Sequence, residues 1–174
     1  MRIIAGKWRG RILKSPTGID TRPTSDRARE GLFSMLQSRL GSFEGLRVCD
    51  LFAGTGALGL EALSRGAAHC TFVERDRAAL DALKANVAML GTEAVIRAQA
   101  AESFKGGPFD LVLIDPPYNS GLGRRALEGM ILAPGALASL ETALTENAGM
   151  AGFESEAERI YGKAKITLLR RLPD

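Results

Sequence analysis

The sequence of 174 residues has few of the side chains on which metal sites and nucleophilic catalysis depend. It contains two cysteines, Cys49 and Cys70, and one histidine, His69. The cysteines lie among apolar residues at no metal-ligand spacing, so we expect reduced core thiols and no metal ion. A single histidine leaves little material for a Ser-His-Asp triad, and we interpret His69 as a loop residue before a strand. Carboxylates and backbone groups remain as candidates for chemistry.

Long apolar runs are also missing. None approaches the roughly 20 residues that a membrane helix requires, and the N-terminus, MRIIAGKWRG, lacks the apolar core and cleavage site of a signal peptide. Hydrophobic residues make up 45% of the chain and charged residues 25%, which is ordinary for a soluble globular protein. We therefore expect a cytoplasmic protein that does not bind membranes.

The net charge of +3 conceals an uneven distribution. Residues 1–30 contain eight lysines and arginines and three acidic residues, so this segment carries +5 and the remainder −2. Positive charge concentrated at one end favours a polyanionic partner such as RNA. The candidate RNA contacts in this segment are Arg2, Lys7, Trp8, Arg9, Arg11, Arg22 and Arg27. Trp8 has two open interpretations, stacking on a base or packing the segment against the body.

Residues 1–45 predict an N-terminal extension, and residues 46–174 the main domain. RIIAGKWRGRIL alternates as in a small basic hairpin. A helix is expected to begin after Pro23, with Thr24 or Ser25 as its N-cap. Its buried stripe is predicted to contain Leu32, Leu36 and Leu40, and its exposed side Arg22, Arg27 and Arg29.

From residue 46 onward, short apolar runs alternate with helical periodicity, which predicts an α/β fold with a mainly parallel sheet. The last two runs, SEAERIYG and AKITLLRRL, predict an antiparallel hairpin at the edge of that sheet, giving seven strands in total. The other strands are expected at 46–53, 70–74, 94–98, 109–115 and 137–143, and the helices at 57–66, 77–90 and 122–132.

The first strand leads directly into DLFAGTGALG, residues 50–59, where Gly54, Gly56 and Gly59 form a G-x-G-x-x-G pattern. Glycines at these positions allow a tight turn, close approach of a ligand and close helix packing. Glu74 ends the second strand, where a carboxylate can accept hydrogen bonds from both hydroxyls of a ribose. The spacing predicts a cofactor that contains a nucleoside.

Asp50 favours S-adenosylmethionine over NAD as that cofactor. A carboxylate would repel a pyrophosphate lying over the glycine loop, whereas the sulfonium and ammonium groups of S-adenosylmethionine are cations. Asp50 could instead be a solvated strand-end acid, or one that accepts hydrogen bonds from nearby backbone amides. The preference for S-adenosylmethionine therefore depends on Asp50 and Glu74 together.

The fourth strand ends in DPPY, residues 115–118, which should face the cofactor at the carboxyl edge of the sheet. Asp115 and the carbonyl of Pro116 can accept the two N–H bonds of an exocyclic base amine and aim its lone pair at a methyl donor. Tyr118 offers a flat face on which a flipped base can stack. The alternative is a strand terminator with an incidental aromatic residue, because proline ends a sheet ladder.

DPPY after DLFAGTGALG resembles the amino-methyltransferases. MRIIAGKWRGRIL, RPTSDRAREGLF and FAGTGALGLEALSRGA resemble the RsmD family in particular, and the resemblance covers essentially the whole chain. It implies a Rossmann-like fold and direct methyl transfer from S-adenosylmethionine to N2 of a guanine in 16S ribosomal RNA, guanine 966, with S-adenosylhomocysteine as product. It further implies ribosomal RNA as partner, within an assembled or assembling small subunit, and we expect a monomer.

The resemblance also carries over the cofactor contacts by position. Asp50 and the loop glycines would contact the methionine part, Glu74 the ribose, and Ala101 or Glu102 the adenine. Family members often have phenylalanine in place of Tyr118, whose hydroxyl could add a hydrogen bond. The full set of expected cofactor contacts is Asp50, Phe52, Gly54, Gly56, Glu74, Arg75, Ala101 and Glu102.

Three other functions agree with parts of the sequence. DNA adenine N6 methyltransferases share DPPY, but they usually need a separate target-recognition region for which this length leaves no room. A non-catalytic nucleotide-binding module, such as an NAD sensor, is opposed by Asp50 and DPPY. An RNA-binding assembly factor without activity agrees with the basic N-terminus and stays open.

Overall fold

The computed structural model of the protein describes residues 1–16 and 25–174. Within these ranges the helices are α1 (Asp26–Leu40), α2 (Ala57–Ser64), α3 (Arg77–Leu90) and α4 (Leu122–Glu128), with a 3-10 turn at Ala101–Ser103. The strands are β1 (Arg47–Leu51), β2 (His69–Glu74), β3 (Val95–Ala98), β4 (Gly106–Ile114), β5 (Met130–Ala143), β6 (Phe153–Tyr161) and β7 (Ala164–Arg171). Among these helices, none is long and apolar enough to cross a membrane.

The seven strands form one sheet in the order β3-β2-β1-β4-β5-β7-β6. Strands β1 to β5 are parallel to one another, whereas β7 is antiparallel to both β5 and β6, so the predicted edge hairpin is confirmed. After β1 the chain moves outward to β2 and β3 and then returns to β4 on the other side of β1. This reversal is where open α/β sheets bind ligands, at the carboxyl ends of the strands. It brings the loops after β1 and β4 side by side.

The cysteines lie in the middle of this sheet, as expected for core thiols. Cys49 in β1 and Cys70 in β2 are both buried and free. Burial raises the pKa of each thiol well above its ordinary value, so both stay protonated and inert. Within the described ranges, no cluster of three or more histidine, cysteine or acidic side chains is arranged to hold a metal ion.

The region around α4 differs from the prediction. The helix expected over 122–132 ends at Glu128, and β5 begins at Met130 and runs for 14 residues to Ala143, so it contains the predicted strand at 137–143 and starts seven residues before it. The early part of β5 pairs with the start of β4 before the main register begins, with irregularities between the two. Pairing with a distant strand therefore overrides the local helical pattern. A second difference is that His69 is the first residue of β2, not a loop residue.

Residues 1–16 form a broad turn closed by one antiparallel bridge, Arg2 with Ile12, so the predicted hairpin exists only in outline. Hydrogen bonds from Ile3 N–H to the Arg11 carbonyl and from Leu13 N–H to the Met1 carbonyl, each 2.9 Å, hold its two arms together. Ile3 and Leu13 are buried in the same apolar core as α1, α2 and the sheet. The division at residue 45 stays a prediction, since this core is continuous across it.

Helix α1 confirms one predicted cap and corrects one predicted surface residue. Ser25 caps the helix by accepting a hydrogen bond from Ala28 N–H at 3.1 Å; Thr24, the other candidate, lies outside the described residues.

Arg29, expected on the exposed side, is completely buried. Its guanidinium donates to Asp26 Oδ1 at 2.6 Å and lies 3.7 Å from the buried carboxylate of Glu61. A buried cation needs such partners, and Glu61 is too distant in sequence to reveal them. In the predicted stripe, Leu32 and Leu36 are buried and Leu40 is half-buried.

Candidate active site

The loop between β1 and α2 has an unusual backbone that leaves one side open. Phe52, Gly54 and Gly56 all have positive φ, at 58°, 57° and 86°. For Phe52 this conformation costs about 1–2 kcal/mol, and such strain is typical of functional loops. A Cβ atom on Gly54 would meet nothing within 4 Å, whereas one on Gly59 would overlap the Phe72 ring. Gly54 therefore leaves room for a ligand, and Gly59 lets α2 pack closely on β2.

Glu74 ties this loop to the end of β2. Its Oε1 accepts a hydrogen bond from Gly54 N–H, and its Oε2 accepts from Arg75 N–H and Asp76 N–H, all at 2.8 Å. These bonds fix the carboxylate at the strand end. A carboxylate oxygen has about two acceptor positions, so Oε1 retains capacity for a ribose hydroxyl. The position fits the predicted ribose contact, which stays a prediction.

Asp50 lies under the loop. It is 1% exposed, and its Oδ2 accepts a hydrogen bond from Gly59 N–H at 2.9 Å. This bond agrees with the backbone-amide alternative for Asp50. Its Oδ1 is buried without a hydrogen-bond partner among the described residues, and burial raises the pKa of the carboxyl well above its ordinary value. A cationic ligand nearby would stabilise the charged form of this group.

A cavity of about 520 Å³ opens at the carboxyl edge of the sheet. Its lining contains four carboxylates and one guanidinium, an excess of negative charge that suits a cationic cofactor and opposes a pyrophosphate. The donor set therefore fits S-adenosylmethionine. The described lining residues are Phe52, Val73, Glu74, Arg75, Asp76, Gln99, Ala101, Glu102, Asp115, Pro116, Pro117 and Leu122.

Seven predicted residues come together in this lining: Phe52, Glu74, Arg75, Ala101, Glu102, Asp115 and Pro116. The other four, Asp50, Gly54, Gly56 and Tyr118, lie in the strand and loops beside the cavity and do not belong to its described lining. Sequence reasoning missed Val73, Asp76, Gln99 and Leu122, whereas Pro117 belongs to the DPPY segment that was expected to face the cofactor. Val73, Asp76 and Gln99 lie within two residues of the ends of β2 and β3, and that position was the available signal.

The DPPY segment follows β4 directly. Asp115 lines the main cavity and also a smaller one that Glu141 of β5 borders. Pro116 is buried, and a Cβ atom on Gly123 of α4 would lie 2.8 Å from its ring, so close helix packing holds this proline in place. Tyr118 is half-buried, and its hydroxyl donates to Glu141 Oε2 at 3.4 Å. The extra hydrogen bond expected of the hydroxyl is present, to a buried acid that the sequence did not single out.

Two buried side chains of α2 hold the basic N-terminal segment. Glu61 accepts hydrogen bonds from Ile4 N–H at 2.9 Å and Ala5 N–H at 3.1 Å. Ser64 Oγ accepts from Trp8 N–H at 3.0 Å and donates to the Ala5 carbonyl at 2.6 Å. These bonds satisfy backbone groups of the turn that would otherwise lose water on burial.

Asn86 of α3 joins the same segment to the glycine loop. Its Oδ1 accepts from Lys14 N–H at 2.7 Å, and its Nδ2 donates to the carbonyls of Lys14 and Thr55, both at 3.0 Å. Asn86 is completely buried. One side-chain amide therefore fixes the basic segment and the loop that faces the cofactor cavity.

Most of the predicted RNA contacts are available at the surface. Trp8 is half-buried, packs against the core, and has Lys7 Nζ 4.5 Å above its ring, which supports the packing interpretation of this side chain. Arg22 lies outside the described residues. The exposed candidates are Arg2, Lys7, Arg9, Arg11 and Arg27.

The strand order, the glycine loop and the acidic cavity together define a Rossmann-like methyltransferase fold. The Escherichia coli protein yhhF has a structure with a TM-score of 0.86 to this chain, at 37% identity, covering 99% of this chain and 98% of that one. The T. thermophilus 16S rRNA N2 G1207 methyltransferase RsmC, solved with AdoMet and guanosine, has a TM-score of 0.69 at 23% identity. The similar region covers 90% of this chain and 46% of the RsmC chain, and it shows similarity of fold alone.

The family follows from sequence matches. The model of the Conserved hypothetical protein 95 family matches residues 1–170, so the chain belongs to that family. Ribosomal RNA small subunit methyltransferase D of Escherichia coli (strain K12) is 46% identical over 126 residues. The predicted membership of the RsmD family is confirmed. That match covers 70% of this chain and 62% of the relative, so the chain matches less than two thirds of the relative's length.

Proposed function

We propose that the protein transfers a methyl group from S-adenosylmethionine to N2 of a guanine in 16S ribosomal RNA. The observation that carries this proposal is the acidic cavity in which Glu74 and Asp115, the predicted ribose and amine acceptors, both take part. Membership of the RsmD family and the Rossmann-like methyltransferase fold support it.

The cofactor would be held by residues on three sides. Glu74 would bind the ribose, Ala101 and Glu102 would lie against the adenine, and Asp50 with the open face at Gly54 would receive the methionine part. When bound, S-adenosylmethionine supplies an electrophilic methyl group on a sulfonium cation. The residues of the chain then orient the target amine and exclude other nucleophiles.

The DPPY segment would orient the target amine. The N2 lone pair of guanine is delocalised into the ring, so the amine attacks only in a favourable geometry. Asp115 and the Pro116 carbonyl would accept its two N–H bonds, and Tyr118 would stack on the flipped base. No covalent enzyme intermediate is needed, and both cysteine thiols are buried and protonated.

The RNA substrate would be bound largely through its phosphate groups. The exposed cations of residues 1–16 and Arg27 provide a salt-sensitive, sequence-independent attraction. Because so little chain remains for base readout, the shape of the small ribosomal subunit would contribute to selection of the nucleotide, guanine 966. The relative from Escherichia coli is named a ribosomal RNA small subunit methyltransferase, and this name supports ribosomal RNA as the substrate. We further propose that the protein acts as a monomer and in the cytoplasm.

The proposal is tested by Asp115→Asn in a methyl-transfer assay. Small subunits and 16S ribosomal RNA from cells that lack the protein are incubated with tritiated S-adenosylmethionine, and the labelled nucleosides are then identified. The unmodified chain should label N2-methylguanosine. Asp115→Asn should lower the rate by about 100-fold or more while the affinity for S-adenosylhomocysteine, measured by calorimetry, changes less than about threefold.

Asp76→Asn provides a matched control. It removes one carboxylate from the same cavity, and asparagine keeps the N-cap that Asp76 provides for α3 by accepting a hydrogen bond from Ala79 N–H. Its rate should stay within about threefold of the unmodified chain. Label in another nucleoside, label in adenine when DNA is supplied in a parallel reaction, or undiminished transfer by Asp115→Asn would each contradict the proposed function.

A further inference from the structure

A second cavity, of about 530 Å³, lies on the sheet face opposite α2 and α3. Along β1 and β2, Val48, Cys70 and Phe72 point into the core shared with those helices. The alternate residues of the same strands, Arg47 and His69 among them, point to the other face and line the second cavity. We call this cavity the basic groove and define it by Arg47, His69, Thr71, Arg97, Gln99 and Lys105.

The groove exists because the link between β3 and β4 contains no crossover helix. In the described chain this link is short and carries only the 3-10 turn Ala101–Ser103. Parallel strands covered on both faces are nearly all apolar, whereas Arg47, Thr71 and Arg97 are polar residues on one face of three adjacent strands. The polar residues therefore indicate that no helix covers this part of the sheet face.

The charge of the groove is positive. Arg47, Arg97 and Lys105 are exposed cations, and no carboxylate is found among the described residues that line it. Asp110, beside the groove, has its Oδ2 engaged by the backbone N–H of Arg47 at 2.9 Å. His69 Nε2 lies 2.7 Å from Thr71 Oγ1, and burial together with Arg47 lowers the pKa of this imidazole. With three cations against the carboxylate of Asp110 beside it, the groove keeps an excess of positive charge at neutral pH.

The groove adjoins the cofactor cavity at Gln99. Gln99 lines both cavities, and its Nε2 donates to Ser103 Oγ at 3.2 Å. Besides the three cations, the groove is lined by neutral hydrogen-bonding side chains, and its large apolar side chains, Phe104 and Phe109, are buried. An acidic protein segment would need apolar anchors for stable docking, so this chemistry favours a phosphate backbone.

We propose that the basic groove binds the phosphate backbone of the RNA substrate at a place separate from the N-terminal segment. The proposal rests on the function proposed above and deepens it. The N-terminal segment is anchored on α2 and α3, whereas the groove occupies the opposite face of the sheet. One RNA that contacts both must fold around the edge of the protein, which a structured ribosomal RNA does and a short oligonucleotide does not.

The test is a triple variant, Arg47→Gln, Arg97→Gln and Lys105→Gln, in filter binding to 16S ribosomal RNA over a series of salt concentrations. Each lost phosphate contact should reduce the slope of log affinity against log salt by about 0.7–0.9, so we expect a decrease of about two and a weakening of at least tenfold at low salt. Affinity for S-adenosylhomocysteine should stay within about twofold, which shows that the fold and cofactor cavity are intact.

A matched control removes the same charge elsewhere. Arg77→Gln, Arg159→Gln and Lys163→Gln together take three exposed cations from outside the groove and should change the salt slope by less than about one. Equal effects of the two triple variants would overturn the proposal. So would loss of binding to small subunits with unchanged binding to bare RNA, which would identify a protein partner.

The outcome also separates the groove from the proposed function. If the unmodified chain methylates ribosomal RNA but the groove variant and the control variant have the same RNA affinity and salt slope, the groove proposal fails and the proposed function stands. If the unmodified chain neither binds nor methylates ribosomal RNA, both fail.

Discussion

The substitution Gly6→Ala tests whether the basic N-terminal segment must lie directly against α2. Gly6 has a φ of +89°, and a Cβ atom there would overlap the carbonyl oxygen of Ser64 and lie 2.7 Å from its Oγ. Gly10, in the same turn, has a φ of +85°, and a Cβ atom there would meet nothing within 4 Å. The two alanine variants therefore share their backbone strain and differ in the clash alone.

The expected magnitudes follow from that difference. A left-handed alanine costs about 1–2 kcal/mol, which is the whole effect expected for Gly10→Ala. In Gly6→Ala the turn must also move away from Ser64 and lose three hydrogen bonds: Lys7 N–H to the Ser64 carbonyl, Trp8 N–H to Oγ, and Oγ to the Ala5 carbonyl. At about 1 kcal/mol each, these raise the expected loss to about 4–5 kcal/mol.

Both variants can be measured in one urea titration. Circular dichroism follows the whole domain, and fluorescence follows the turn, because Trp8 is the single tryptophan of the chain. Gly6→Ala should show red-shifted emission and an early fluorescence transition, with RNA affinity lowered at least tenfold and affinity for S-adenosylhomocysteine within about threefold. Equal stability and equal emission of the two variants would refute the reasoning.

Two further substitutions test buried charges. Burial raises the pKa of Asp50 above its ordinary value of 3.8, so the folded protein binds the carboxyl proton more tightly than the unfolded chain does. Ionisation of Asp50 therefore lowers the free energy of unfolding increasingly as pH rises above 3.8. Asp50→Asn should thus be more stable than the unmodified chain at pH 7, with a margin that shrinks toward pH 4 in urea titrations, and should bind S-adenosylmethionine more weakly; a margin independent of pH would contradict this. Glu61→Gln leaves the buried Arg29 without one carboxylate and should lower the free energy of unfolding by about 3–5 kcal/mol, whereas a loss below about 1 kcal/mol would show that Asp26 alone suffices.

Much of the fold could be predicted because its signals are local. The glycine pattern, the alternation of apolar runs with helical periods and the terminal hairpin predicted all seven strands. The strand ends were predicted less well, and the main miss was β5, which begins seven residues before the expected strand. That early stretch pairs with the first residues of β4, a long-range contact that no local pattern near residue 130 reveals.

The site was predictable to the extent that its residues lie at strand ends. Glu74 and Asp115 were found because parallel strands bring their carboxyl ends to one edge. Arg29 was misplaced because burial of an arginine requires a carboxylate elsewhere in the fold, and Glu61 looks in sequence like an ordinary helix-surface residue. The basic groove was missed for a similar reason, since Arg47 and Arg97 are fifty residues apart in sequence and come to one sheet face only because β1 and β3 both pair with β2.

The hydrogen bonds also explain why the first sixteen residues and the glycine loop form one structural unit. Glu74 holds the loop through Gly54, and Asn86 holds the next residue, Thr55, through its carbonyl. The same Asn86 amide pairs with both backbone groups of Lys14. A displacement of the basic segment must therefore either break a buried amide pair or move the loop beside the cofactor cavity. Because an unpaired buried amide is costly, the arrangement of the basic N-terminal segment and that of the glycine loop beside the cavity are fixed together.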